Sequence, residues 1–147
     1  MVVEIETIVA TAERILKDVI PNNPFRPLLE AEGHAEVDFS ITIGDWIITG
    51  RFDRLIRQTG LWEIVDWKTD DDSVAAIEKK YADQMKLYAL ALLRSLPEAE
   101  RPAGIVVHLA MTHHRATKRL EFDATELKEC AEELGRRLTA IGSGMIL

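Results

Sequence analysis

The side chains whose types and spacing could do chemistry together are Asp53, Asp66 and Lys68. They lie in the segments Gly50-Arg51-Phe52-Asp53-Arg54-Leu55 and Ile64-Val65-Asp66-Trp67-Lys68-Thr69. Two converging carboxylates offer hard oxygen donors to a divalent cation, and an ammonium beside them can stabilise charge building on a reacting anion. The set suits hydrolysis of a phosphodiester, provided the chain brings the three groups together.

The local pattern says how it would. The runs Trp46 to Ile56 and Leu61 to Lys68 are rich in β-branched and aromatic residues, and Gln58-Thr59-Gly60 separates them as a turn, which predicts an antiparallel hairpin. Centring the turn between Thr59 and Gly60 sets Asp53 opposite Asp66 and Arg51 opposite Lys68, with facing Cβ atoms about 5 Å apart. Asp66 and Lys68 then share one face of the strand, and Val65 and Trp67 the other. A second hairpin precedes it. Glu36 to Ile43 alternates, with Val37, Phe39, Ile41 and Ile43 on one side, and Gly44-Asp45 is a two-residue turn. This register puts Glu36 opposite Asp53, so Glu36, Asp53 and Asp66 form one row, and Asp38, Arg51 and Lys68 the next. Like charges abreast destabilise a sheet unless a cation sits among them, which makes Glu36 a further candidate metal ligand. The competing reading is a solvated polar face, and one β-bulge would shift the register.

The remaining elements give the frame. Ser73 can cap a helix from Val74 to Ser95, ended by Pro97, and Ala103 to Met111 reads as an apolar strand. Strand, helix and strand make a crossover with parallel strands. Arg119 to Phe122 is a short edge strand. Asp123 and Glu126 resemble a capping box for a last helix with the stripe Leu127, Cys130, Ala131, Leu134, Leu138 and Ile141, stopped by Gly142. Another apolar stripe, Ile5, Ile8, Val9, Ala12, Ile15, Leu16 and Val19, predicts a helix near the start. The expected fold class is α/β, a mixed sheet flanked by helices.

Composition narrows the classes. At 147 residues and 47% hydrophobic content the chain can form one compact domain with a real core. No apolar run reaches the roughly eighteen residues of a membrane span, and there is no basic cleavable leader, so a cytoplasmic protein without membrane contact is expected. The formal net charge of −7 is unusual for a nucleic-acid partner; Lys79, Lys80 and Lys86, with Arg51 and Arg54, are the candidates for a local positive strip.

At the Asp53, Asp66 and Lys68 segments the chain resembles the RecB-like nuclease family within the PD-(D/E)XK superfamily, most closely the C-terminal nuclease domains of AddA-type helicase-nuclease subunits. That family's pattern runs Gly-x-x-Asp-Arg-Leu, a turn, Ile-Val-Asp-Tyr-Lys-Thr, and a helix bearing Tyr-x-x-Gln-x-x-x-Tyr. Here these are residues 50 to 55, residues 64 to 69 with Trp67 replacing the tyrosine, and Tyr81, Gln84 and Tyr88. The resemblance implies a restriction-endonuclease-like core, a three-strand meander followed by a crossover helix and a parallel strand. It implies that Asp53, Asp66 and the Trp67 carbonyl hold Mg²⁺ or Mn²⁺ and that Lys68 orients or polarises the attacking water. Gln84 and Tyr88, with Tyr81 and Arg51, would support the site or the DNA track.

One element of that pattern is missing. Relatives carry a metal-binding histidine upstream, within Gly-x-x-x-His, and nothing before Glu36 matches it. The expectation is a single nuclease domain over residues 1–147, the C-terminal part of a larger subunit lacking its upstream helix. His34 could substitute or could simply be solvated, and adjacent His113 and His114 diverge on a strand end. A lone cysteine, Cys130, excludes a four-cysteine iron–sulfur cluster held by this chain.

The implied activity is metal-dependent exonucleolytic DNA cleavage in a helicase-nuclease acting in double-strand-break repair and recombination. The implied partners are DNA, through a single-stranded end, the helicase domain of the parent polypeptide, and a second nuclease or helicase subunit. The alternative is a non-catalytic module that keeps the fold and docks or guides DNA.

Overall fold

A computed structural model describes residues 23–142. The stripe from Ile5 to Val19 lies outside them. In chain order the elements are α1 (Arg26–Glu30), β1 (Gly33–Ile43), β2 (Trp46–Gln58), β3 (Leu61–Lys68), α2 (Val74–Ser95), a 3-10 turn (Glu98–Glu100), β4 (Gly104–Met111), β5 (Ala116–Asp123) and α3 (Ala124–Gly142). The strands form one sheet in the order β1-β2-β3-β4-β5. Only β3 and β4 are parallel, with α2 connecting them. This is the mixed sheet that the sequence predicts.

Both hairpin registers are as expected. Ile43 pairs with Trp46 and Val37 with Phe52, while Gln58 pairs with Leu61 and Arg54 with Val65. The turn residues set this. Thr59 and Gly60 both have positive φ (48° and 82°), the backbone twist that closes a tight two-residue hairpin.

At the row of three acids, however, the pairing lapses. Glu36 and Asp53 form no ladder pair although the register is unchanged on either side, and Glu36 has φ 54°. Across this lapse the strand faces exchange. Phe39 and Phe52 enter the main core; past the lapse Leu55 packs on that core, and Ile56 joins a second cluster on the opposite face.

Helix α2 lays Ile77, Met85, Ala89, Leu90, Ala91 and Leu92 on the main core, joined by Leu127 and Ala131 of α3. Ser73 caps α2 through its hydroxyl, 3.2 Å from the Ala76 amide. Asp123 caps α3 by accepting the Glu126 amide at 2.8 Å, but the Glu126 carboxylate pairs with Lys86 instead of completing the box. Cys130 is partly buried against the core, and Ile141, expected on the same stripe, is 52% exposed.

The short α1 was not expected. It packs Leu28 and Leu29, with Phe25, on Ile56, Val65 and Ala110 at the other sheet face. Arg54 ties its end down, with Nε 3.2 Å from the Leu28 carbonyl and Nη2 3.4 and 2.9 Å from those of Leu29 and Ala31. A guanidinium fork satisfying the free carbonyls at a helix C-terminus acts as a cap.

Candidate active site

The site forms where β2 and β3 stop pairing. Their ladder ends at Arg54 and Val65. Continued, it would pair Trp67 with Phe52; instead the Trp67 amide donates to Asp53 Oδ2 at 2.8 Å. Amide and carbonyl of one strand residue point to the same edge, so the Trp67 carbonyl is directed at this gap as well. The Trp67 ring lies on the far face, edge-on to Phe25 with centroids 5.5 Å apart. The end of β3 is fixed from the other side: the Thr112 amide and hydroxyl both donate to the Lys68 carbonyl, at 3.0 and 3.2 Å.

Asp66 is 2% exposed. Its Oδ2 has no aligned hydrogen-bond donor, although Lys68 Nζ stands 3.1 Å away as an ion pair. Burial, and then the neighbouring Asp53 carboxylate, push the Asp66 carboxyl from 3.8 up to about 6, against the pull of Lys68. A buried carboxylate beside a second one, with an oxygen not satisfied by the chain, fits a hard divalent cation, which relieves the repulsion between the two acids. Asp53, Asp66 and the Trp67 carbonyl are the groups that could hold it; Mg²⁺ or Mn²⁺ commonly keeps several waters besides a few protein oxygens.

Lys68 is held closely. Nζ donates to Gln84 Oε1 at 2.8 Å and sits 4.1 Å from the centroid of the Tyr81 ring. Gln84 Nε2 reaches the Tyr88 hydroxyl at 3.5 Å, and the Tyr88 ring is wedged edge-on against Phe39 and Phe52, at 5.9 Å from each. Burial, and then the Asp66 charge, raise the Tyr88 pKa and keep its hydroxyl protonated. Residues 81, 84 and 88 therefore all face the site, as spacings of three and four on a helix allow.

Other expectations are corrected. Glu36 is exposed and does not complete a three-carboxylate row: among the described residues no three acids, histidines or cysteines are grouped for a metal. The lapse at Glu36 is the reason, because the row depended on regular pairing. Arg51 bonds to exposed Asp38 at 2.7 Å and lies on the opposite face to Phe52, not beside Lys68. His34 lies by the Trp62 ring, centroids 6.0 Å apart. His113 and His114 meet edge to face at 5.3 Å, and His114 Nε2 contacts the Asp72 carbonyl.

The proposed positive strip is largely occupied. Lys80 pairs with Asp70 at 2.8 Å, Lys86 with Glu126 at 3.3 Å, and Arg54 caps α1. Lys79 and Arg115 make no ion pair among the described residues. Sequence reasoning missed Asp70, whose two carboxylate oxygens each lie 3.0 Å from the Tyr81 hydroxyl. The run Asp70-Asp71-Asp72 directly after Lys68-Thr69 was the available signal.

A family model points in the same direction. The model of the PD-(D/E)XK nuclease superfamily matches residues 5–146. No curated protein matches. Among solved structures, the crystal structure of SSO0001 is similar, with 17% identity and a TM-score of 0.42 over 89% of this chain. The chain spans 61% of the length of that protein.

Proposed function

Because the chain belongs to the PD-(D/E)XK nuclease superfamily, we propose that it is a metal-dependent DNA nuclease whose centre is Asp53, Asp66 and Lys68. One observation carries this: Asp66 is buried beside a second carboxylate and a lysine, with an oxygen that no aligned donor satisfies. Asp53, Asp66 and the Trp67 carbonyl would hold Mg²⁺ or Mn²⁺, which when bound supplies a lowered pKa for water and charge neutralisation at the phosphate.

The chain's own groups do the rest. Lys68, fixed by Gln84 and Tyr81, presents an ammonium to negative charge building on the phosphoryl oxygens or on the departing alkoxide. Asp53 has a double role, because the carboxylate that could face a cation also takes the Trp67 amide and so holds β2 against β3. Tyr88 and Gln84 orient Lys68, and Lys79 and Arg115 remain for phosphate contact.

The finer reading is an exonuclease working in an AddA-type helicase-nuclease during double-strand-break repair. It is supported by the residues 50 to 55, 64 to 69 and Tyr81, Gln84, Tyr88 pattern. It is also supported by the scarcity of unpaired cations among the described residues, because a helicase that delivers a strand raises its local concentration without a basic groove.

The test is cleavage of end-labelled linear single-stranded and double-stranded DNA, and of closed circles, with Mg²⁺ or Mn²⁺. Linear DNA should be degraded and circles spared, with loss of activity in Lys68→Ala and Asp66→Ala. Calorimetry should show Mn²⁺ binding that both Asp53→Asn and Asp66→Asn abolish. Unchanged cleavage by Asp66→Ala would overturn the mechanism; circle cleavage would overturn only the exonuclease reading.

A further inference from the structure

Lys68 has a long, rotamer-rich side chain, and an ammonium on such a stem acts well only if its direction is fixed before the substrate arrives. Two of its neighbours are oxygens, Gln84 Oε1, which takes a hydrogen bond at 2.8 Å, and Asp66 Oδ2, an ion pair at 3.1 Å. The third is the face of the Tyr81 ring, 4.1 Å to the centroid. That ring is itself held. Its hydroxyl lies 3.0 Å from both oxygens of Asp70, whose side chain is 15% exposed and is gripped from outside by Lys80 Nζ at 2.8 Å.

We propose that Asp70 is a positioning residue for Lys68, acting through Tyr81: it pins the phenol so that the ring face forms a fixed platform under the ammonium. Three physical points support this. Asp70 follows Lys68 by two residues, so the strand end that carries the lysine also carries the anchor of its platform. A phenol donating to a carboxylate gains electron density in its ring, which strengthens the attraction of the face for a cation. Lys80 lies 5.2 Å from the same ring and closes the cluster on its solvent side.

The idea rests on the reading of Lys68 as the group that works on the phosphate, and the test separates the two. Asp70→Asn, Tyr81→Leu and Tyr81→Phe variants of the full chain are compared in two assays. One is steady-state cleavage of linear DNA with Mn²⁺. The other is trace acetylation of Lys68 by acetic anhydride without metal, read by mass spectrometry relative to Lys128. Asp70→Asn and Tyr81→Leu are expected to lower kcat about tenfold with KM nearly unchanged, a drop of the size a partly buried cation–π contact corresponds to. Lys68 acetylation should rise several-fold, about threefold or more, in the same two variants. Tyr81→Phe, which keeps the ring and loses the tether, should show at least the effect of Asp70→Asn, because Asp70 acts through the Tyr81 hydroxyl, and it guards against a folding defect.

If Asp70 only anchored the start of α2, Lys68 labelling would not change. Unchanged labelling in both Asp70→Asn and Tyr81→Leu therefore overturns the platform, even where Lys68→Ala is inactive and the nuclease reading stands. Full activity in Lys68→Ala would instead remove the catalytic purpose of the platform, whatever the labelling shows.

Discussion

Replacing Asp66 by asparagine should change how stability depends on pH, in a direction fixed by burial. In the folded chain Asp66 holds its proton up to about 6, against 3.8 ordinarily, first because it is buried and second because Asp53 is beside it. Between these values folding takes up a proton, so stability falls as pH rises; below 3.8 both states are protonated, and above about 6 the full cost is present. The shift corresponds to about 3 kcal/mol, or roughly 6–12 °C in Tm for a domain of this size.

Asp70 and Glu133 work in the opposite direction. Hydrogen bonds from Lys80 and Arg136 respectively hold their carboxyls low, so their stabilisation is lost on acidification. The informative quantity is therefore the difference between wild type and Asp66→Asn. Urea unfolding followed by circular dichroism, in chelator at constant ionic strength from about pH 4 to pH 7.5, should show the variant gaining on wild type by about 3 kcal/mol across the range. A difference flat to within about 0.5 kcal/mol would show that Asp66 is neither as buried nor as crowded as the geometry requires.

Further substitutions probe the frame. Arg54→Ala removes the donors to the Leu28, Leu29 and Ala31 carbonyls at the end of α1 and should cost about 2 kcal/mol in urea unfolding, while a loss under about 0.5 kcal/mol would mean that water replaces them. Gly50→Ala sets a Cβ 2.5 Å from Phe39 Cζ, so a loss of about 1–3 kcal/mol is expected, with a displaced Tyr88 visible in near-ultraviolet circular dichroism. Arg115→Gly removes an unpaired cation at a position whose φ of 48° suits glycine; KM for DNA should rise a few-fold at unchanged kcat, with a shallower salt dependence of binding.

Much of this arrangement was legible because turn chemistry fixes register. Once Gly44-Asp45 and Thr59-Gly60 are read as tight turns, the pairing of both hairpins follows, and α2 follows from Ser73, its length and Pro97. Asp53, Asp66 and Lys68 were singled out by type and spacing, whereas Gln84, Tyr81 and Tyr88 came from the resemblance to the RecB-like pattern, and helical spacing only added that they share a face. The misplacements of Glu36 and Arg51 share one cause. Strict alternation was carried through Glu36 and Asp53, where the chain exchanges faces, so Glu36 was placed in the acid row and Arg51 beside Lys68. A local reversal of this kind leaves the register intact and so has no signature in the pattern of polar and apolar residues. At five residues α1 is too short to show periodicity, and Arg54 looked like a phosphate contact because its carbonyl partners are distant in sequence.

The exchange of faces between Phe52 and Leu55 also governs which sequence changes of length the chain can survive. Phe52 supports Tyr88 from the core, and the next residue, Asp53, reaches the Trp67 amide. Deleting or inserting one residue between Val37 and Glu36, or between Phe52 and Arg54, would swing one half of the hairpin through half a turn, exposing the aromatic pair or withdrawing the carboxylate. At Gly44-Asp45 an added residue only lengthens a loop. Length variation among descendants of this sequence should therefore collect at the hairpin tips and be excluded from the middle of β1 and β2, where Phe39 and Phe52 are buried.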